Sequence, residues 1–351
     1  MTDFLAAAYP LLADRLRKMP IADLPTPVST VHFDTASGSR SVSIKHDDVS
    51  SAHYGGNKIR KLEYILQRAR DRGATRIATF GAVGSNHALA TAILAAQTDF
   101  DCTCFLGAQP RAPNIARALN MHRRLGTELV PLGRTVDRIA TFRRFLQGRH
   151  CWVIPMGGSS WLGAVGFVNA GLELAHQVES GALTAPHRIY IANGTMGSST
   201  GLALGLALAE LPVELHAVRV VDDHVASPSG FERLMRKTAM MMRRLDPSIP
   251  IDLADRTRMR WRDEFLAGGY ASFDNATRNA VEVAADAMGL ALETTYTGKA
   301  MAALLRDLES PDYAGEKYLF WNTYNSRPLP VTRDRPDVPD NIPPQFMTYF
   351  D

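Results

Sequence analysis

Four short stretches carry residues whose types and spacing could do chemistry together. The first, His53-Tyr54-Gly55-Gly56-Asn57-Lys58, runs into Ile59-Arg60-Lys61-Leu62-Glu63-Tyr64-Ile65-Leu66. Leu62, Ile65, Leu66 and Ala69 recur at helical spacing and Asn57 is a candidate N-cap, so Lys58 falls in the first helical turn. The partial positive charge of a helix N-terminus lowers the pKa of an ammonium placed there, and imine formation with an aldehyde requires a neutral lysine. The alternative is a solvated surface lysine beside an ordinary Gly-Gly turn. The second stretch, Gly81-Ala82-Val83-Gly84-Ser85-Asn86-His87, gathers backbone amides, a hydroxyl, a carboxamide and an imidazole. That set suits a carboxylate or another small anion, unless Ser85 or Asn86 simply caps the helix that follows.

The third stretch is Asn193-Gly194-Thr195-Met196-Gly197-Ser198-Ser199-Thr200-Gly201. Its glycines fit neither GxGxxG nor a Walker A loop, which removes the dinucleotide and ATP readings. What remains is a nest of N–H groups with hydroxyl side chains, suited to a phosphate that is bound and not transferred, or else a flexible Gly/Ser loop. The fourth, Thr294-Thr295-Tyr296-Thr297-Gly298-Lys299-Ala300-Met301, reads by itself as a cap and turn.

Regular structure must hold these stretches in place. From residue 58 onward, short β-rich runs alternate with amphipathic helical ones. Strands are predicted at 76–83, 102–106, 128–132, 152–155, 188–192, 213–221 and 317–321. Helices are predicted from 88, over 115–125 and over 199–209, with a helix-rich section before the last strand. Such alternation argues for parallel strands with crossover helices, and ligands then sit at the carboxyl ends of the strands, where all four stretches fall. The proline-rich tail from Pro328 reads as a surface-wrapping extension.

Composition narrows the function classes. The 351 residues are enough for two domains, and 46% apolar with 21% charged residues excludes disorder of the whole chain. The surplus of 39 basic over 36 acidic residues is only +3 and is spread along the chain, so it gives no footprint for nucleic acid or anionic lipid. The apolar stretch 201–209 is far short of the roughly 20 residues a bilayer span needs, and no basic region precedes an apolar core at the start. The expected location is the cytosol, with small soluble partners. Cys102 and Cys104 share a strand face and read as core packing. No CxxC, HExxH or EF-hand spacing occurs, so no metal site is expected.

Taken in order, Leu24-Pro25-Thr26-Pro27, the Gly-Gly-Asn-Lys-x-Arg-Lys-Leu-Glu-Tyr run at 55–64, Gly84-Ser85-Asn86-His87, the 193–201 loop and Tyr296-Thr297-Gly298-Lys299-Ala300-Met301 carry a resemblance. They resemble the 1-aminocyclopropane-1-carboxylate deaminase/D-cysteine desulfhydrase family of pyridoxal-phosphate enzymes. The resemblance implies an α/β fold of two open parallel-sheet domains, like that of the tryptophan synthase β subunit, with the cofactor between them. The larger domain would comprise 1–65 plus 173–351 and the smaller would be inserted at 66–172. A homodimer is implied as well.

Residue by residue, the resemblance gives Lys58 the covalent attachment of pyridoxal 5'-phosphate and later proton transfer at the substrate, with Asn57 beside it. Lys61 and the loop Gly194, Thr195, Met196, Gly197 and Ser198 would hold the cofactor phosphate. Asn86 would bond the 3′-oxygen of the ring, while Ser85, Asn86 and His87 receive the substrate carboxylate. Tyr296 and Tyr270 would be active-site tyrosines. Thr297 stands where the deaminase branch places glutamate against the pyridine nitrogen and the desulfhydrase branch places threonine. A neutral hydroxyl there makes a weaker electron sink than a carboxylate, sufficient for β-elimination because the leaving group carries off the electron pair.

The chain departs from the family after the last strand, where Phe320-Trp321-Asn322-Thr323-Tyr324-Asn325-Ser326-Arg327-Pro328 lacks the usual glycine pair. Tyr324 is expected to reshape the substrate pocket, Tyr54 to narrow it, and Arg327 to pair either with an acidic group of the substrate or with a surface carboxylate. The implied function is a pyridoxal-phosphate-dependent lyase or deaminase acting on a small amino acid by β-elimination, giving 2-oxo acid and ammonia. 1-Aminocyclopropane-1-carboxylate deamination and cofactor binding without turnover are the alternatives.

Overall fold

A computed structural model describes residues 3–35, 38–112, 114–133, 142, 146, 150–330 and 342–350. Two sheets organise them. Strands β3 (Arg76–Ala82), β4 (Asp101–Gly107), β5 (Glu128–Pro131) and β6 (Cys151–Ile154) form an all-parallel sheet in the order β5-β4-β3-β6. Strands β1 (Val28–Thr35), β2 (Gly38–His46), β7 (Arg188–Asn193), β8 (Glu214–Arg219), β9 (Met259–Arg262) and β10 (Tyr318–Asn322) form the other, in the order β1-β2-β10-β7-β8-β9. Its pairs are parallel except β1 with β2, which run antiparallel from Val28↔Lys45 to Thr35↔Gly38.

The helices are α1 (Phe4–Ala8), α2 (Pro10–Arg15), α3 (Lys58–Asp71), α4 (Asn86–Gln97), α5 (Ile115–Arg124), α6 (Trp161–Glu179), α7 (Gly197–Leu208), α8 (Pro228–Leu245), α9 (Asn275–Met288) and α10 (Thr297–Leu308). Every strand expected from 76 onward is present within one or two residues at its ends. The expected parallel sheets are present, with one antiparallel pair, β1–β2, at an edge, and β9 lies inside the section expected to be helix-rich. The Ser41-Val42-Ser43-Ile44 alternation, with Val42 and Ile44 fully buried, carried a strand signal that the reading from residue 58 onward did not use. β9, Met-Arg-Trp-Arg at a sheet edge, also alternates apolar and polar residues but over only four positions, with Arg262 buried.

Helix α3 carries the first candidate stretch, and two features fix its position. The first is backbone contact with α6: a Cβ at Gly166 would lie 2.1 Å from the Arg60 carbonyl oxygen, so only glycine lets the two helices approach this closely. The second is a buried ion network. Arg60 bonds Asp47 at 2.8 Å and Glu173 of α6 at 2.9 Å, and Lys45 of β2 pairs with the same glutamate. Thr26, from the Leu24–Pro27 motif, donates its amide to Glu173 at 2.9 Å and accepts from Arg60 at 3.0 Å through its hydroxyl, which ties that motif to α6 and α3. Burial alone would raise the Glu173 pKa, but Arg60 and Lys45 hold it down to about 2.

Cys102 and Cys104 are buried in the core, their sulfurs 3.8 Å apart. Residues 342–350 of the tail lie on the surface as expected and are anchored there, with Phe346 buried and the Tyr349 hydroxyl donating to the Gln109 carbonyl at 2.8 Å. The rest of the predicted extension, 331–341, lies outside the described residues. Among the described residues no helix is long and apolar enough to cross a membrane, and no His/Cys/Asp/Glu group could hold a metal ion.

Candidate active site

A cavity of about 890 Å³ is lined by the loops that leave the strands of both sheets: Ser85–His87 after β3, Pro155–Gly157 after β6, Gly194–Ser199 after β7, Val221–Asp222 after β8 and Thr323–Asn325 after β10. The first turns of α3 and α10 complete it. Every residue given a role by resemblance, from Asn57 and Lys58 to Tyr324, lines this one space.

Lys58 opens α3, and its Nζ donates to the Asn57 carboxamide oxygen at 2.7 Å. Its pKa is lowered to about 8 by burial, with Glu293 opposing the shift. The direction matches the sequence expectation but its cause is desolvation rather than the helix end. Asn57 does occupy the N-cap position, yet its side chain makes no cap bond. It turns instead to Lys58 and to the Ser198 hydroxyl, 3.0 Å away. Covalent capture of pyridoxal phosphate by cofactor-free protein should therefore speed up about tenfold per pH unit up to about pH 8 and level off above it, as stopped-flow absorbance would record.

The loop Gly194–Ser198 has the features of an anion cradle. Met196 adopts the left-handed region at φ 68°, a strained conformation for a side chain of that size. Gly197 N–H is taken by Thr195 O and by Ser159 Oγ, which also bonds Thr195 Oγ1 at 2.7 Å, so Ser159 braces the loop from the turn that follows β6. The amides of Ser198 and Ser199 start α7 with no acceptor among the described residues. Asn193 Nδ2 is likewise buried and unpaired among them. Lys61 Nζ reaches in from α3 and bonds Gly157 O at 3.0 Å, its pKa held well below the usual lysine value by burial and then by Lys58. Lys61, free amides and an orphaned carboxamide form a donor set that fits the phosphate of pyridoxal 5'-phosphate, and Lys58 in the same cavity is the amine that could meet its aldehyde.

At the second stretch, Ser85 does cap α4, accepting from Ala88 N–H at 3.3 Å, and still faces the cavity together with Asn86 and His87. His87 Nε2 lies 2.9 Å from Thr79 Oγ1, and burial, followed by the two lysines, pushes the imidazole well below its usual pKa. It stays neutral, leaving an uncharged group beside the free amides of a helix N-terminus.

The Tyr296 hydroxyl donates to that of Tyr270 at 3.3 Å, and burial raises both pKa values, so both phenols keep their protons. The loop bearing Tyr270 is held by buried Lys299, whose Nζ donates to Leu266 O and to Gly269 O at 3.0 Å. Sequence reasoning missed Lys299 in this role, and it also missed Glu293. The Glu293 carboxylate accepts from the amides of Thr295, Tyr296 and Thr297 at 2.8–2.9 Å, capping α10 in place of any N-cap side chain. An acid within four residues of a helix start was the available signal.

Tyr324 and Tyr54 line the cavity as expected. Asn325 has a different part: its Oδ1 accepts from Gly55 N–H at 2.6 Å and its Nδ2 donates to Arg327 O, so it braces the turn ahead of Lys58. Arg327 does not line the cavity but borders a separate groove with Asp23, Leu24, Pro25, Pro27 and Val49, which favours the surface reading of its two alternatives.

Comparison with known proteins agrees with this construction. The pattern of the pyridoxal-phosphate dependent enzyme family matches residues 21–323. A D-cysteine desulfhydrase of Klebsiella pneumoniae is 31% identical over 315 residues, covering 86% of this chain and 92% of that protein. A D-cysteine desulfhydrase of Salmonella paratyphi A is 33% identical over 301 residues, covering 83% and 88%. Among solved structures, an ACC deaminase homologue superposes with a TM-score of 0.74 at 24% identity, covering 92% of this chain and 95% of that one. A fungal L-serine ammonia-lyase from Rhizomucor miehei does so at 0.55 and 17%, covering 93% and 92%. These last two share the fold. With the family pattern spanning most of its length, the chain belongs to the pyridoxal-phosphate dependent enzymes, in the group that contains the D-cysteine desulfhydrases.

Proposed function

We propose that this pyridoxal-phosphate-dependent enzyme eliminates the β-substituent of a small amino acid, as a D-cysteine desulfhydrase does. The observation that carries the reading is Lys58, with its pKa brought to about 8, in one cavity with both an amide cradle for phosphate and a second set of donors for a carboxylate. Bound pyridoxal phosphate supplies an aldehyde that captures amines and a ring that accepts electrons.

The chain supplies the rest. Lys61 and residues 194–198 anchor the phosphate. Ser85, Asn86 and neutral His87 receive the substrate carboxylate at the start of α4, which fixes Cα within reach of the Lys58 amine. That amine takes the Cα proton; the C–S bond then breaks, and sulfur leaves with its electron pair and takes up a proton. Tyr296 and Tyr270, both protonated and on the cavity wall, are assigned as donors of that proton. One water hydrolyses the released enamine to 2-oxo acid and ammonia. We place the smaller domain at 66–172, with the cofactor between it and the remainder, and the working form as a homodimer in the cytoplasm.

A second reading, deamination of 1-aminocyclopropane-1-carboxylate, is favoured by the carboxylate of Glu293 behind Thr297. A panel separates the two. Purified holoenzyme is given D-cysteine, L-cysteine and 1-aminocyclopropane-1-carboxylate while sulfide, ammonia and 2-oxo acid are assayed. The expected result is equimolar release of all three products from one cysteine enantiomer. Ammonia from the cyclopropane substrate alone would favour the second reading, and a spectral shift without product would mean binding without turnover.

A further inference from the structure

Tyr270 stands on a stretch of backbone with little of its own to hold it. Ala267, Gly268, Gly269 and Ala271 all have positive φ, at 54°, 88°, 128° and 60°, a conformation that alanine rarely adopts. The loop's two turns are closed by long bonds, Gly269 N–H to Leu266 O and Ser272 N–H to Gly269 O, both at 3.3 Å. The same two carbonyls accept from the Lys299 ammonium, at 2.6 Å and 3.0 Å. One side chain thus ties the successive turns 266–269 and 269–272, between which Tyr270 projects. Lys299 is fully buried in the first turn of α10, where the helix dipole opposes a cation, and it makes no ion pair among the described residues. Burial lowers its pKa to about 8, against the longer-range pull of Glu293, Asp274 and Asp222, so at neutral pH both bonds are charge-assisted.

We infer that Lys299 is a positioning residue that sets the Tyr270 hydroxyl on the cavity wall, through the Leu266 and Gly269 carbonyls, for protonation of the departing β-substituent. The inference rests on the proposed assignment of Tyr270 as a donor of that proton. A lysine that only packed against the core would carry its ammonium out to water. This one is drawn wholly inside, to carbonyls one and four residues ahead of a cavity tyrosine. The start of α10 grips the loop a second time through Tyr296, whose hydroxyl donates to that of Tyr270 at 3.3 Å with the two rings edge to face. Backbone and side chain of the loop are therefore both referred to one helix end. Proton transfer is sensitive to such placement, since a shift of about 1 Å can cost on the order of 10²-fold in rate. Without the ammonium the strained loop is free to relax and takes the Tyr270 hydroxyl with it, while Lys58 on α3 and the loop ahead of α7 keep their own supports.

The test compares cysteine with β-chloroalanine of the same configuration, from which chloride leaves without needing a proton, in holoenzyme of wild type, Lys299→Met, Tyr270→Phe and the double variant. Methionine keeps nearly the length of lysine without its charge or its donors. In Lys299→Met, kcat for cysteine should fall about 10- to 100-fold, and kcat for β-chloroalanine much less. The double variant should lose no more on cysteine than Tyr270→Phe does alone, because both changes remove one function. Gly269→Ala perturbs the same contact from the loop side: its Cβ would meet Asp222 Oδ1 at 3.0 Å at a φ that alanine rarely adopts, so the carbonyl must shift. It should reproduce the selective loss, and it carries the test if Lys299→Met does not fold. With Tyr270→Phe selective for cysteine, equal losses on both substrates in Lys299→Met and Gly269→Ala, or losses that multiply in the double variant, would overturn the inference. Equal losses on both substrates in Tyr270→Phe would instead remove the tyrosine's own assignment, and the inference with it.

Discussion

Replacing Lys58 by alanine should lower kcat/KM for the β-elimination substrate by about 10⁴-fold, the upper range for a positioned proton-transfer group, and abolish covalent retention of the cofactor. The size of the effect follows from two tasks falling on one amine: it holds the aldehyde and then moves the Cα proton. Borohydride reduction followed by peptide mass analysis should leave the cofactor on the peptide containing Lys58 in wild type and nowhere in the variant. Lys61 is the necessary control, because it is a second buried lysine in the same cavity with its pKa also pushed down. Its hydrogen bond runs to Gly157 O and its assigned task is the phosphate, so Lys61→Met should raise the cofactor dissociation constant while covalent capture at 58 survives. Turnover by Lys58→Ala within tenfold of wild type would sink the assignment.

The largest expected loss of stability comes from Glu173→Gln, at about 3–5 kcal/mol by chemical denaturation. Glu173 is fully buried and pairs with both Lys45 and Arg60, so neutralising it leaves two cations out of water with Asp47 as their remaining acid. The same group gives the wild type an acid limit. Its pKa in the folded chain, about 2, lies below the ordinary glutamate value of 4.5, so its stabilisation is complete above about pH 4.5 and is lost as pH falls toward 2. In Glu173→Gln that part of the acid transition should disappear. An unchanged acid titration in the variant would mean that the network does not hold α3.

What the sequence made legible followed from local rules. The βα alternation from residue 76 exposed seven strands, because parallel strands buried on both faces read as apolar runs such as Ile189–Ile191. Three of the four candidate stretches were visible because they interrupt that pattern with glycines and polar side chains after strands; the fourth, 294–301, was expected at a strand end but joins α9 to α10. The contributions of Glu293, Ser159 and Asn325 were not legible, for a common reason. Each acts on a backbone amide, and for Ser159 and Asn325 the partners are 38 and 270 residues away. Such contacts leave no periodicity in the sequence. Arg327 could be left only as a pair of alternatives from its place in sequence beside Tyr324, and the turn at Asn325 sends it out to another groove.

The packed segment 342–350 matters for anyone redesigning this protein. Gln109, whose carbonyl and amide are both bonded to the Tyr349 hydroxyl, also accepts the Gly84 amide through its own side chain at 3.2 Å. Tyr349 is therefore two hydrogen bonds from Gly84, the neighbour of Ser85, where we propose that the carboxylate is recognised. A proline-rich tail is the sort of segment a protein engineer trims first to obtain a tidier molecule. Here trimming would release Gln109, slacken the turn at Gly84, and register as poorer discrimination between amino acids before it registered as unfolding.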